Sequence, residues 1–397
     1  LGKPNIDVIA AGLLCLDMIP RFETDRETAN IAELLQPGTL VQMGAMTFST
    51  GGSVSNVGTA MKLFGCSVAF VAKVGGDAIG RTIIEILEKK GSAEGIYVAE
   101  GEASSYTVVI SPPGIDRIFM HCPGTNDTFS AEDINMAAVG KSRLFHLGYP
   151  TLMRSLFLDE GRELADILQK VKGAGVTTSM DISLPDPGSE AGRVDWRRIY
   201  ARCLPYVDIF LPSIEETFFT LHPRQYLKRK EAEGGRELID FVAPEEVSGF
   251  AEEYLSMGCR IAVLKAGHNG WYIKTAGREK IAGIGRAAPG KPDTWAGREL
   301  WCPAFRADSV ATSTGAGDCS IAAFLTGLLR GHSIEECLKL ANCAGYLNLR
   351  AMDTLSGLGS WEEVKDAYPT LPVRNNAFLS KDWNWDERLE IWEKKRV

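Results

Sequence analysis

Short apolar runs rich in Val, Ile and Phe recur along the chain, each bounded by Gly or polar residues and followed by a longer stretch with helical spacing. Runs without polar alternation read as strands buried on both faces, and the segments after them as covering helices. Strands are expected at 6–12 (IDVIAAG), 68–74 (VAFVAKV), 144–148 (LFHLG), 175–181 (GVTTSMD), 206–211 (YVDIFL) and 260–265 (RIAVLK), with helices at 80–90 and 152–172. The alternation predicts an α/β fold with a parallel sheet between two helical layers. Residues 104–121 break the rhythm: two β-runs flank Pro112-Pro113-Gly114-Ile115-Asp116, which predicts a hairpin standing off the main sheet. The charge-rich segment 222–246, centred on Gly234-Gly235, reads as a solvated surface excursion. After Pro372, Trp385, Leu389 and Trp392 fall at i, i+4 and i+7, the spacing of a short helix that packs on the body or on a partner. The main domain is therefore set at 1–375 and a Trp-rich tail at 376–397.

Composition narrows the classes further. With 45% hydrophobic and 24% charged residues in 397, the chain has the make-up of a globular domain and not of a disordered segment or a rod. A formal charge of -8 leaves no overall basic field, so nucleic acid is not expected as a partner. The nine cysteines are scattered singly and odd in number, which fits a reducing cytoplasm. No cleavage pattern and no run of about 18 apolar residues occurs, so neither secretion nor membrane insertion is expected. The five histidines lack ligand spacing for zinc, and Gly-x-Ser-x-Gly is absent, which removes local support for a serine hydrolase.

The segment Thr314-Gly315-Ala316-Gly317-Asp318 carries the most chemistry, because it leads directly into an apolar helix. Glycines allow close backbone approach, and the unpaired N–H groups of a helix start form an anion site. A carboxylate there would repel a bound phosphate unless it holds the nucleophile that attacks it. Asp318 thus reads as a catalytic base kept ionised by the helix dipole, with a plain helix cap as the alternative. Gly315 and Gly317 also give Gly-x-Gly, but Ser320 and a polar preceding segment weaken a dinucleotide site. Residues 75–82 (GGDAIGRT) nearly match a phosphate loop, yet Arg81 replaces its Lys and Asp77 would face phosphate, so a strand-to-helix turn is preferred. Asp17 follows the first strand, and Gly51-Gly52 with Asn56 opens a helix. Together these could grip a polyhydroxylated substrate at the carboxyl edge of the sheet, unless Asp17 is a turn residue and Asn56 a cap.

These two constellations resemble the PfkB carbohydrate kinase family in order and spacing. The first is Gly51-Gly52-x3-Asn56-x3-Ala60-x2-Leu63-x-Gly65 with Gly75-Gly76-Asp77-x2-Gly80, and the second is Thr314 to Asp318; the likeness spans roughly residues 6–360. The resemblance implies a ribokinase-like fold: a three-layer, doubly wound, mostly parallel sheet with a small β-sheet lid from segments near 18–22, 40–50 and 104–121. It implies an ATP-dependent kinase in which Asp318 takes the acceptor proton and the amides of Gly315, Ala316 and Gly317 receive the phosphoryl group. Asp17, Gly51, Gly52 and Asn56 would bind sugar hydroxyls. Lys265, Gly267, Gly270, Thr314 and Asn342 would border the nucleotide, and Glu216 would organise Mg2+ through water. Ser213 stands where the family has Asn, and Thr312 where it commonly has the Asp of a monovalent-cation loop, which counts against potassium activation. A nucleoside kinase and a non-catalytic sugar-binding or regulatory protein are the rival readings, and the likeness leaves room for a homodimer through the lid.

Overall fold

Strand β1 (Ile6–Gly12) sets the pattern for the main sheet: Val8 and Ala10 point to one face, Ile9 and Ala11 to the other, and all four are buried. The computed structural model describes residues 4–23, 30–91, 93–115, 117–234, 236–307, 310, 313–351, 355–374 and 382–395. Chain order continues with β2 (Cys15–Phe22), β3 (Met43–Gly51), β4 (Val68–Gly75), β5 (Ile96–Ala99), β6 (Tyr106–Ile110), β7 (Ile118–Cys122), β8 (Ser142–Gly148) and β9 (Thr177–Asp181). Then come β10 (Ile209–Phe210), β11 (Ile261–Lys265), β12 (Trp271–Thr275), β13 (Glu299–Cys302), β14 (Trp383–Asp386) and β15 (Ile391–Lys394).

Eleven of these strands form one sheet in the order β14-β15-β13-β12-β11-β10-β9-β8-β1-β4-β5. Pairing is parallel from β5 to β11 and antiparallel from β11 to β14. Residues alternate between its faces: in β11, Ile261 and Val263 join one core, Ala262 and Leu264 the other. Helices Arg162–Gly173, Trp196–Cys203, Ile214–Leu221 and Pro244–Ser256 cover one face. Helices Ser53–Leu63, Ala316–Leu329 and Ile334–Asn348 cover the other. The second sheet, β3-β2-β6-β7, stands apart, and its β6–β7 hairpin is the one expected at 104–121.

Several expectations are corrected. The tail is not a helix: β14 and β15 form a hairpin that extends the main sheet from β13. Trp383 is buried there, its ring 6.2 Å from Tyr272 and 6.3 Å from Trp301. The excursion at 222–246 is not merely solvated, because helix Pro223–Ala232 buries Tyr226 against Phe218 and Phe219, and Leu238 is buried too. The expected helix at 152–172 is broken by left-handed residues Asp159, Glu160 and Gly161. The strand expected at 206–211 shortens to two residues. Asp77 caps helix Ala78–Lys89 through the Gly80 amide and also accepts the Ser104 amide, so the phosphate-loop look-alike is a structural turn.

Candidate active site

The carboxyl ends of the parallel strands and the starts of two helices converge on Asp318. Gly315, at φ 76° in the left-handed region, opens helix Ala316–Leu329, and its first turn carries Asp318, which is 4% exposed. From the opposite end of the sequence, Gly52 at φ 86° opens helix Ser53–Leu63 and places Asn56 beside it. Asn56 Nδ2 donates to Asp318 Oδ2 at 2.9 Å across a separation of 262 residues. The Tyr149 hydroxyl donates to Asp318 Oδ1 at 2.7 Å. Burial pushes the Asp318 carboxyl above its ordinary range, and the bonds from Tyr149 and Asn56, with the Lys265 charge, oppose that push. The helix dipole alone therefore does not settle its charge, contrary to the sequence expectation.

The amides behind Asp318 are unequal. Ala316 N–H donates to Ser313 O at 3.2 Å, whereas the Gly317 and Asp318 N–H groups have no hydrogen-bond partner among the described residues. Of the amides expected to form an anion hole, the one at Ala316 is thus already engaged.

Asp17 lies on β2 with its carboxylate against Gly51, where a Cβ would come within 2.2 Å of Oδ2. A Cβ at Gly52 would meet Leu13 O at 2.4 Å. The Asp17, Gly51, Gly52 and Asn56 positions are therefore brought together, and Asn56 joins them to Asp318. Asn56 Oδ1 is buried and has no hydrogen-bond partner among the described residues. Burial raises the Asp17 carboxyl to about 6, against the lowering effect of contacts from Cys15 and Thr107.

Ala316 and Gly317 also border a cavity of about 810 Å³, lined further by Ser213, Lys265, Gly267 and Asn342, among others. This volume suits a small-molecule ligand. Lys265 Nζ meets Asp181 Oδ1 at 2.6 Å, and its aliphatic stem passes beneath Gly317. Burial works against the Lys265 charge, but Asp181, Glu216 and Asp318 outweigh it and favour the ammonium. Glu216 and Ser213 form a reciprocal cap on helix Ile214–Leu221: Ser213 N–H donates to Glu216 Oε2 at 2.6 Å, and Glu216 N–H to Ser213 Oγ at 3.1 Å. Ser213 replaces the expected Asn without leaving the helix uncapped.

Three of the residues expected at the nucleotide also have structural contacts. Asn342 borders the cavity, and its Nδ2 donates to Cys302 O and Pro303 O, each at 3.1 Å. Gly270, at φ 93°, packs its backbone against Cys302 to Ala304 and shapes the turn behind the cavity. Thr314 O accepts from Asn348 Nδ2 at 2.8 Å. Thr312 lies outside the described residues. Sequence reading missed Tyr149 and Asp181. A positional signal existed for both, since Asp181 ends β9 and Tyr149 follows the last residue of β8, as Lys265 ends β11.

An open, mostly parallel α/β sheet with a carboxylate, free amides and a cavity at the carboxyl ends of its strands has the layout of the doubly wound class, whose ligands bind at that edge. Residues 22–358 match the pfkB family of carbohydrate kinases. The chain belongs to that family and is an ATP-dependent carbohydrate kinase of the ribokinase fold. It is 27% identical over 279 residues to an uncharacterized sugar kinase of Archaeoglobus fulgidus, covering 70% of this chain and 89% of that protein. It is 21% identical to the 5-dehydro-2-deoxygluconokinase of Shouchella clausii, over 92% of this chain and 95% of that one. Among solved structures, Arabidopsis thaliana ribokinase complexed with ribose and ATP superposes with a TM-score of 0.65 at 18% identity, covering 92% of this chain and 99% of that chain. No helix among the described residues is long and apolar enough to cross a membrane.

Proposed function

We propose that the protein transfers the γ-phosphoryl group of ATP to a hydroxyl of a sugar or sugar derivative, with Asp318 as the base. The observation that carries this reading is the Asp318 carboxylate, buried, held by Asn56 and Tyr149, and in the same helix turn as the Gly317 and Asp318 amides, which have no partner among the described residues. Asp17 and the orphan Asn56 Oδ1 accept hydrogen bonds from sugar hydroxyls, while the close-packed Gly51 and Gly52 keep side chains out of that space. Asp318 takes the proton from the acceptor hydroxyl as it attacks. The Gly315 and Gly317 end of the helix and Lys265 face the charge that develops on the transferring group. The cavity bordered by Gly267 and Asn342 receives the nucleotide.

The residues fit a magnesium nucleotide through water, because Glu216 Oε1 is not engaged by the cap and Lys265 lies beside it; the ion would draw charge from the phosphates. The β2–β3–β6–β7 sheet serves as the lid that excludes water, and its exposed outer residues support a second copy of the chain as partner.

The test is ADP release from Mg-ATP with a panel of hexoses, pentoses, keto-deoxy sugar acids, phosphorylated sugars and nucleosides. One sugar acceptor supports the reading, a nucleoside alone transfers it to the nucleoside branch, and sugar binding without turnover makes the protein a binder. In Asp318→Asn, kcat is expected to fall by about 10² or more with sugar and ATP affinity retained; near-normal turnover would remove Asp318 from the mechanism.

A further inference from the structure

The geometry points to Tyr149 as the positioning residue of the kinase: its phenol fixes the plane of the Asp318 carboxylate and favours its ionised form until it takes the acceptor proton. The inference rests on the reading of Asp318 as the base.

Tyr149 follows β8 and precedes Pro150, yet its backbone sits at φ 64°, ψ 42°, in the left-handed region. A bulky residue is costly there, and such conformations persist only where surrounding structure enforces them. Here the enforcement is visible: Tyr149 N–H donates to Asp181 O at 3.1 Å, and Leu152 N–H donates to Tyr149 O at 2.9 Å. The backbone is thereby tied to the end of β9, and the phenol is delivered to Asp318 Oδ1 at 2.7 Å, 169 residues away in sequence.

Asp318 is buried and has one donor on each oxygen, Tyr149 on Oδ1 and Asn56 on Oδ2. Each oxygen retains a second lone pair, so an acceptor hydroxyl can still reach the carboxylate. The charged groups facing it are Lys265 from β11 and Asp181 from β9, which pair with each other, and Lys265 also faces Glu216 from helix Ile214–Leu221. Lys265 is therefore shared among three carboxylates. Tyr149 and Asn56 are the neutral donors committed to Asp318, and Tyr149 approaches more closely.

Asn56 belongs to the substrate cluster, so Tyr149→Phe is the clean probe, because it keeps the ring and deletes one hydrogen bond. At saturating sugar and ATP, Tyr149→Phe is expected to lower kcat by about tenfold and to move the acid limb of the kcat–pH profile upward by about one unit. The KM for sugar and ADP affinity by calorimetry are expected to stay close to wild type. Site-specific 3-fluorotyrosine at position 149, a stronger donor of nearly the same shape, is expected to move the limb the opposite way. An unmoved limb in both proteins, or a change confined to KM, overturns the proposal. Asp318→Asn is measured alongside: if it turns over normally, the base reading itself falls. If it is inactive while the Tyr149 variants keep the wild-type limb, only the positioning role falls.

Discussion

Asp17, the carboxylate proposed to bind sugar, carries a cost in stability. Burial raises its carboxyl from 3.8 to about 6, so the folded protein binds that proton more tightly than the unfolded chain does. A raised carboxyl pKa contributes stability at low pH and loses it as pH rises through about 6, so at neutral pH the ionised group destabilises the ligand-free protein. A shift of this size corresponds to at most about 3 kcal/mol. Asp17→Asn is therefore expected to raise the thermal midpoint at pH 7.5, with the gain vanishing below about pH 4, where both states carry the proton. The same change is expected to raise the sugar KM by about tenfold or more, since the amide replaces one acceptor oxygen with a donor. Calorimetric melts across pH, paired with sugar titrations, check both halves. A variant no more stable than wild type at pH 7.5 would mean that Asp17 is better solvated than its burial implies.

At the level of elements, what could be read in the sequence depended on whether the signal was local. The parallel strands from β1 to β11 are buried on both faces, so they appear as uninterrupted apolar runs that turn residues delimit. The starts of helices Ser53–Leu63 and Ala316–Leu329 were legible because close backbone approach demands glycine at Gly52 and Gly315. Tyr149 and Asp181 were not, because each is a single residue whose role is created by strand pairing, Gly148 with Asp181, and by contact with a distant helix. The tail misled for another reason. Trp385, Leu389 and Trp392 share a helical spacing, but the available β13 edge decided the outcome, with Trp301 opposite Trp392 and Trp385 paired with Trp392. That hairpin leads to a prediction: Trp383→Ala removes a buried indole packed against Tyr272 and Trp301 and is expected to cost about 3–5 kcal/mol. The thermal midpoint should drop by several degrees while kcat is largely kept. Loss of kcat without loss of stability would place the hairpin in the catalytic machinery instead.

For the whole molecule, the proposed lid and the proposed dimer share one surface, the small sheet. Its four strands leave the outer sides of β3 and β7 unpaired within the sheet, and Met46, Phe48, Ile118, Phe119 and Met120 are exposed along them. Exposed apolar edge strands are a ready template for pairing with another chain, and natural sheets normally blunt them with charge. The proposed second copy would cover this surface and, by bracing the lid, help it close over the sugar bound at Asp17 and Asn56. Light scattering on the wild-type protein is then expected to give twice the 43.2 kDa of one chain. Phe119→Asp combined with Phe48→Asp places a charge on each outer strand and is expected to return the single-chain mass. In this variant the sugar KM is expected to rise while ATP affinity stays unchanged, because the cavity proposed for the nucleotide takes none of its lining from the small sheet. A wild-type mass of 43.2 kDa would remove the dimer, and closure would then rest on sugar contacts made by a single chain.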